Sequence, residues 1–161
     1  MTTIKTGALE LPTIRKEVYF MSTIYERNFE RLVKLGVIVD GKVLNNHRSK
    51  VDGIMDLVVE SRIALDGFND QPCIGLSLAH YFKQNGDLCS DPFIEILVYP
   101  SMKMVEVSSF EMSIPPMFDQ VYPSPGRVYP KLKKDLNDFL SSWLVNLLNQ
   151  GHGEVWTTDS M

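Results

Sequence analysis

Four extended runs, "IMDLVVESRIAL", "CIGLSLAHYF", "PFIEILVYP" and "MKMVEVSSF", follow one another between residues 54 and 110, separated only by short clusters of Gly, Asn, Asp and Pro. Their β-branched and aromatic content reads as strand. A parallel pair needs a crossover of about a dozen residues or more, and these connections are too short to hold one. The runs are therefore expected to form an antiparallel meander of about four to five strands. In the first run, side chains of period two place Leu57, Val59, Ile63 and Leu65 on one face and Asp56, Glu60 and Arg62 on the other. One face is core and the other is partly wet.

Two helical patterns flank the meander. From about Lys16 to Leu35, Phe20, Met21, Ile24, Tyr25, Asn28, Phe29, Leu32 and Leu35 recur at helical spacing, and Gly36 supplies a stop. From about Lys131 to Asn149, Leu132, Leu136, Phe139, Leu140, Trp143, Leu144, Leu147 and Leu148 make a broad apolar stripe. Between the first helix and the meander, Asp40-Gly41 sits among β-branched residues and predicts a short hairpin. "EMSIPPMFDQVYPSPGRVYP" reads as a long Pro-rich connection, because proline cannot donate into a central ladder.

Each helix and the sheet has one apolar face that needs a partner, which predicts an α+β domain with both helices on the inner sheet face. The expected organisation is a loosely docked leader over 1–15, one domain over 16–150 and a polar tail over 151–161. In that tail Trp156 either docks on the domain or meets a partner.

Bulk properties narrow the function classes. The chain has 161 residues, enough for one core, and its net charge of -4 offers no global attraction to nucleic acid or an anionic membrane. Cys73 and Cys89 make no disulfide framework and no metal or redox motif. The first twenty residues lack the apolar core of a signal peptide, and no run approaches the length of a membrane span, so a cytoplasmic protein is expected. No Walker, nucleophile-elbow, zincin or dinucleotide-binding pattern occurs, and no cofactor is expected. His47, His80 and His152 lie in separate segments, the first and last expected in solvent-facing loops and His80 at a strand edge.

Several residue strings resemble an uncharacterised bacterial family of unknown function typified by the enterobacterial protein YqiB. They are Glu26, Asn28, Phe29, Leu32 and Leu35 in the first helix; Glu60; Tyr99; Val105, Glu106 and Val107; and Tyr122, Pro123, Pro125, Pro130, Lys133, Asn137, Phe139, Leu140, Trp143 and Leu144. Ser124 replaces the usual Asn of that pattern, and Lys131 and Leu132 stand in place of an acidic pair. The resemblance implies an architecture and a Tyr-Pro frame at the start of the last helix, and no chemistry.

Two function classes remain. "YPSPGRVYPKLKKD" gathers Arg127, Lys131, Lys133 and Lys134 with Tyr122 and Tyr129 around a helix start, where backbone amides favour anions. That composition fits a non-enzymatic binding or regulatory module for an acidic protein or a phosphorylated ligand, acting as monomer or homodimer. Alternatively, strand carboxylates, with Glu60 and Glu106 as the acid/base candidates, converge on one sheet face in an unrecognised hydrolase.

Overall fold

Among the described residues, seven antiparallel strands line up in one sheet. In the computed structural model, which describes residues 22–66 and 72–158, the chain runs α1 (Ile24–Leu35), β1 (Ile38–Val39), β2 (Lys42–Val43), β3 (His47–Val51), β4 (Ile54–Asp66) and β5 (Pro72–Gln84). It continues through β6 (Asp87–Tyr99), β7 (Met104–Met112), β8 (Met117–Gln120), α2 (Pro130–Asn149) and β9 (Trp156–Thr158). The sheet order is β8-β7-β6-β5-β4-β3-β9, with β1 and β2 as a separate two-stranded hairpin.

The expected meander supplies β4 to β7, but four to five strands is an undercount. The additional strands lie at the margins: β8 falls within the Pro-rich connection, β3 is the polar string HRSKV, and β9 lies in the polar tail. Edge strands are commonly short and polar, which protects the open ladder and removes the alternation that betrays a central strand.

Turns and caps follow from local chemistry. Asp40 and Gly41 both take positive φ, 52° and 74°, the geometry of the tight hairpin turn between β1 and β2. Thr23 and Glu26 form a reciprocal capping box at the start of α1. The portion of the predicted first helix before Ser22, and the leader with it, lie outside the described residues.

Apolar side chains from both helices meet one sheet face. Phe29, Leu32 and Leu35 of α1 and Leu136, Leu140, Trp143, Leu144 and Leu147 of α2 cluster with Leu57, Val59, Leu76, Leu78, Ile94, Ile96, Val98, Val105 and Val107. Leu57 and Val59 take the predicted inner positions; Ile63 and Leu65 fall outside the described side chains.

Buried asparagines tie the helices to the sheet. β8 pairs with β7 only from Ser109 to Met112, so nearer its start β7 is laddered to β6 alone and its other edge has no strand partner. There the Val107 N–H donates to Asn137 Oδ1 of α2 at 3.0 Å, while Asn137 Nδ2 donates to the Lys133 carbonyl at 2.7 Å. Asn28 Nδ2 of α1 donates to the Asn137 carbonyl at 3.3 Å. A buried backbone donor needs a partner, and Asn137 satisfies one where the ladder stops.

The histidine expectations require correction. His80 and His152 are buried at 8% and 3% exposure, because His80 projects from β5 against Trp143 and His152 folds in beneath the turn after α2. Trp156 docks: its indole Nε1 donates to the Leu35 carbonyl at 3.0 Å. Among the described residues no helix is long and apolar enough to cross a membrane.

Candidate functional site

Where β6 turns into β7, the chain places Tyr99 and Glu106 side by side. The turn is closed by Met102 N–H donating to the Tyr99 carbonyl at 3.2 Å and Lys103 N–H donating to the Pro100 carbonyl at 3.3 Å. Pairing of Tyr99 with Met104 and Leu97 with Glu106 sets Tyr99 and Glu106 on the same side of the ribbon. The first turns of α2 and the loop carrying Tyr122 then close over this corner.

The result is a nearly dry carboxylate. Glu106 is 5% exposed. One of its oxygens accepts the Tyr99 hydroxyl at 2.5 Å, and the other accepts the Tyr122 hydroxyl. The Lys133 ammonium lies 3.4 Å from Glu106 Oε1 and donates to the Tyr122 hydroxyl oxygen at 3.1 Å. It also lies 5.5 Å from the Tyr25 ring centroid and 5.6 Å from that of Tyr122. A buried charge is tolerated only when paired and hydrogen-bonded, and this one has both.

Burial, then the hydrogen bond to Glu106, pushes the Tyr122 hydroxyl well above the usual tyrosine range. A hydroxyl held in its protonated form is a donor and an anchor. It is not an activated base, which would need to lose its proton near neutral pH.

Above this group lies a cleft of about 140 Å³ walled by Tyr25, Tyr99, Met102, Met104 and Val105, with Glu106 and Lys133 at its floor. That volume is close to the roughly 150 Å³ known to hold one benzene-sized group. Methionine walls adapt readily to the shape of an apolar guest. Because the Lys133 ammonium already faces two tyrosine rings, the cleft is poorly suited to a second cation.

The six predicted binding residues divide into two sets. Tyr122 and Lys133 turn inward and build the floor. Lys131 and Lys134 remain outside with side chains 87% and 75% exposed, each paired with an aspartate four residues on, Asp135 at 2.7 Å and Asp138 at 2.8 Å. Arg127 and Tyr129 are exposed beside them. Tyr129 occupies the N-cap position of α2 without a side-chain cap, and the first turn holds no acidic residue. The helix start thus keeps its positive end uncompensated.

The two predicted acid/base carboxylates are not brought together. Glu60 of β4 and Glu106 of β7 are separated by β5 and β6, about 14 Å across the sheet at the usual strand spacing. Glu60 instead lines a depression of about 810 Å³ with Arg48, Tyr81 and Lys83. Burial and the nearby Glu60 raise the Tyr81 hydroxyl above its ordinary range. The Arg62 guanidinium pairs with Glu95 at 3.0 Å. Among the described residues no group of three His, Cys, Asp or Glu side chains could hold a metal ion.

Sequence reasoning missed Tyr25 and the two methionines. Tyr25 sits on the helical stripe and reads as core, while Met102 and Met104 join the site only through the β6–β7 turn. The resemblance pattern did contain Tyr99, Glu106, Tyr122 and Lys133, although nothing in linear spacing joins them.

Fold and site together define a class: among the described residues, a seven-stranded antiparallel sheet beside a two-stranded hairpin, two helices on one face, and a buried carboxylate, tyrosine and lysine group beneath a small apolar cleft. The family is shown by a match over residues 27–153 to a domain of unknown function, DUF6908, and the chain belongs to that family. Nothing ties it to YqiB or to an enterobacterial family. Neither the curated proteins nor the solved structures returned a match.

Proposed function

We propose that this domain is a non-enzymatic binding module that takes an acidic protein segment, seating one apolar side chain of that segment in the Tyr25–Met104 cleft. The observation that carries the reading is a small apolar cleft, already furnished with its own cation, whose Lys133 belongs to the same uncapped first turns of α2 as the exposed Lys131 and Lys134. Shape selects the anchor and charge selects the sequence around it. The locked Glu106 group supports a preformed floor, which lowers the ordering cost of binding. An acidic partner fits the Lys131 and Lys134 rim because their aspartate partners are surface pairs of low strength, open to exchange.

The reading is tested by charge reversal. Lys131→Glu with Lys134→Glu is expected to weaken capture of a Glu-rich peptide with a single Leu or Met anchor by tenfold or more at low salt, leaving the circular dichroism spectrum unchanged. Unaltered affinity at matched ionic strength would remove the rim from the account. Lys133 is unsuited to the same test, because its reversal would place a second carboxylate against Glu106.

A second reading rests on Glu60, which shares a depression of ligand size with Tyr81. In that reading the domain is a hydrolase with Glu60 as the acid/base group, and Glu60→Gln abolishes whatever turnover a hydrolase substrate panel detects. Full turnover in that variant removes Glu60 from the chemistry.

A further inference from the structure

The turn after α2 carries a separate arrangement of polar groups that the binding reading does not use. His152 Nδ1 lies 2.9 Å from Ser49 Oγ, and the N–H of Gly153 donates to that same oxygen at 3.0 Å. The other ring nitrogen, Nε2, is buried and has no hydrogen-bond partner. The His80 ring stands 6.0 Å away, centroid to centroid, with its own Nδ1–H directed at the Asp56 carbonyl at 2.8 Å.

Ser49 makes this contact mechanical. It lies on β3 and pairs in register with Trp156, so one residue holds both the turn and the start of β9. Gly153, at φ 96°, packs so closely that a Cβ there would fall 2.5 Å from the Leu35 carbonyl oxygen. Trp156 reaches that same oxygen. Residues 152–158 thus form a strap seated across β3 and the end of α1.

The groups facing His152 come from each packed element. β3 contributes Ser49, and β4 contributes the Met55 carbonyl and Asp56, whose carboxylate is engaged by Arg48 at 3.1 Å. β5 contributes His80, and α2 contributes Trp143, which packs edge-on against His80. A backbone hydrogen bond with Met55 and the charge of Asp56 favour a charged ring. Burial, and then His80, dominate and hold His152 below the ordinary histidine range. An imidazolium here would carry its charge in a buried site beside a second histidine, a cost that water removes once the strap lifts.

We propose that the His152–Ser49 contact is a pH-sensitive clasp, closed with neutral His152 and opened by its protonation, which frees residues 152–158 from β3. The sign follows from linkage. The released histidine titrates near its unperturbed value of about 6.5 and the clasped one below it. Clasp stability is fully present above about 6.5 and is lost as pH falls from there toward the clasped value, opening rising about tenfold per pH unit in that window.

Amide hydrogen exchange on the whole chain, expressed as protection factors between pH 8 and pH 5, tests this. Protection at Trp156–Thr158 is expected to fall by close to tenfold per unit below about 6.5, while β5 and β6 keep theirs. In His152→Gln that dependence disappears. A flat profile in the native chain, or the same slope in His152→Gln, overturns the proposal. Should the variant fail to fold, the native chain still decides: the opening midpoint must track the titration of the His152 ring followed by NMR, and a mismatch overturns the clasp.

Discussion

Glu106 is the residue on which the corner of the molecule depends. Its two oxygens hold a tyrosine from β6 and a tyrosine from the Pro-rich loop, and its charge is answered by a lysine from α2. Removing the carboxylate leaves two hydroxyls and an ammonium with reduced company in a partly dry site. Glu106→Ala is therefore expected to destabilise the fold by about 2–4 kcal/mol, within the range for breaking a buried pair. Tyr122→Phe, which deletes one donor, is expected to cost about 1–2 kcal/mol. Urea unfolding checks both, and a near-neutral Glu106→Ala would contradict the role given to this group.

At the scale of elements, the helices were legible because their apolar positions repeat at helical spacing, and β4 to β7 because their runs are long and their connections short. The margins were hidden for a physical reason. β8 and β9 are held by a backbone ladder on one side, and β3 lies between β4 and the three-residue β9, so their side chains lack the alternation that marks a central strand. The site was half legible: Tyr122 and Lys133 stood out as tyrosine and cation, but their inward turn depends on Glu106, two elements away. His80 and His152 were misplaced because one histidine in a strand and one in a Gly-rich turn look the same whether buried or wet. Two substitutions test this level. Leu144→Ala, on the buried stripe of α2, is expected to cost about 2–5 kcal/mol in urea unfolding. Gly153→Ala, which drives a methyl toward Leu35, is expected to lower protection selectively at Trp156–Thr158; equal loss across the sheet would show that the strap is not a separable element.

For the whole molecule, the sheet supplies a rigid base and places its two polar devices at different corners, the Glu106 group beside the β6–β7 turn and the His152 clasp beside β3 and β9. Their separation means that binding and clasp opening can be measured independently. The decisive measurement is an NMR titration of the labelled chain with Glu-rich peptides carrying one Leu or Met anchor, repeated with the cleft-filling variant Met104→Trp. The account predicts shifts gathered at Tyr25, Met102, Met104 and Lys133, and their loss in the variant with its spectrum otherwise folded. Shifts gathered around Glu60 and Tyr81 instead, or binding that survives the filled cleft, would contradict it.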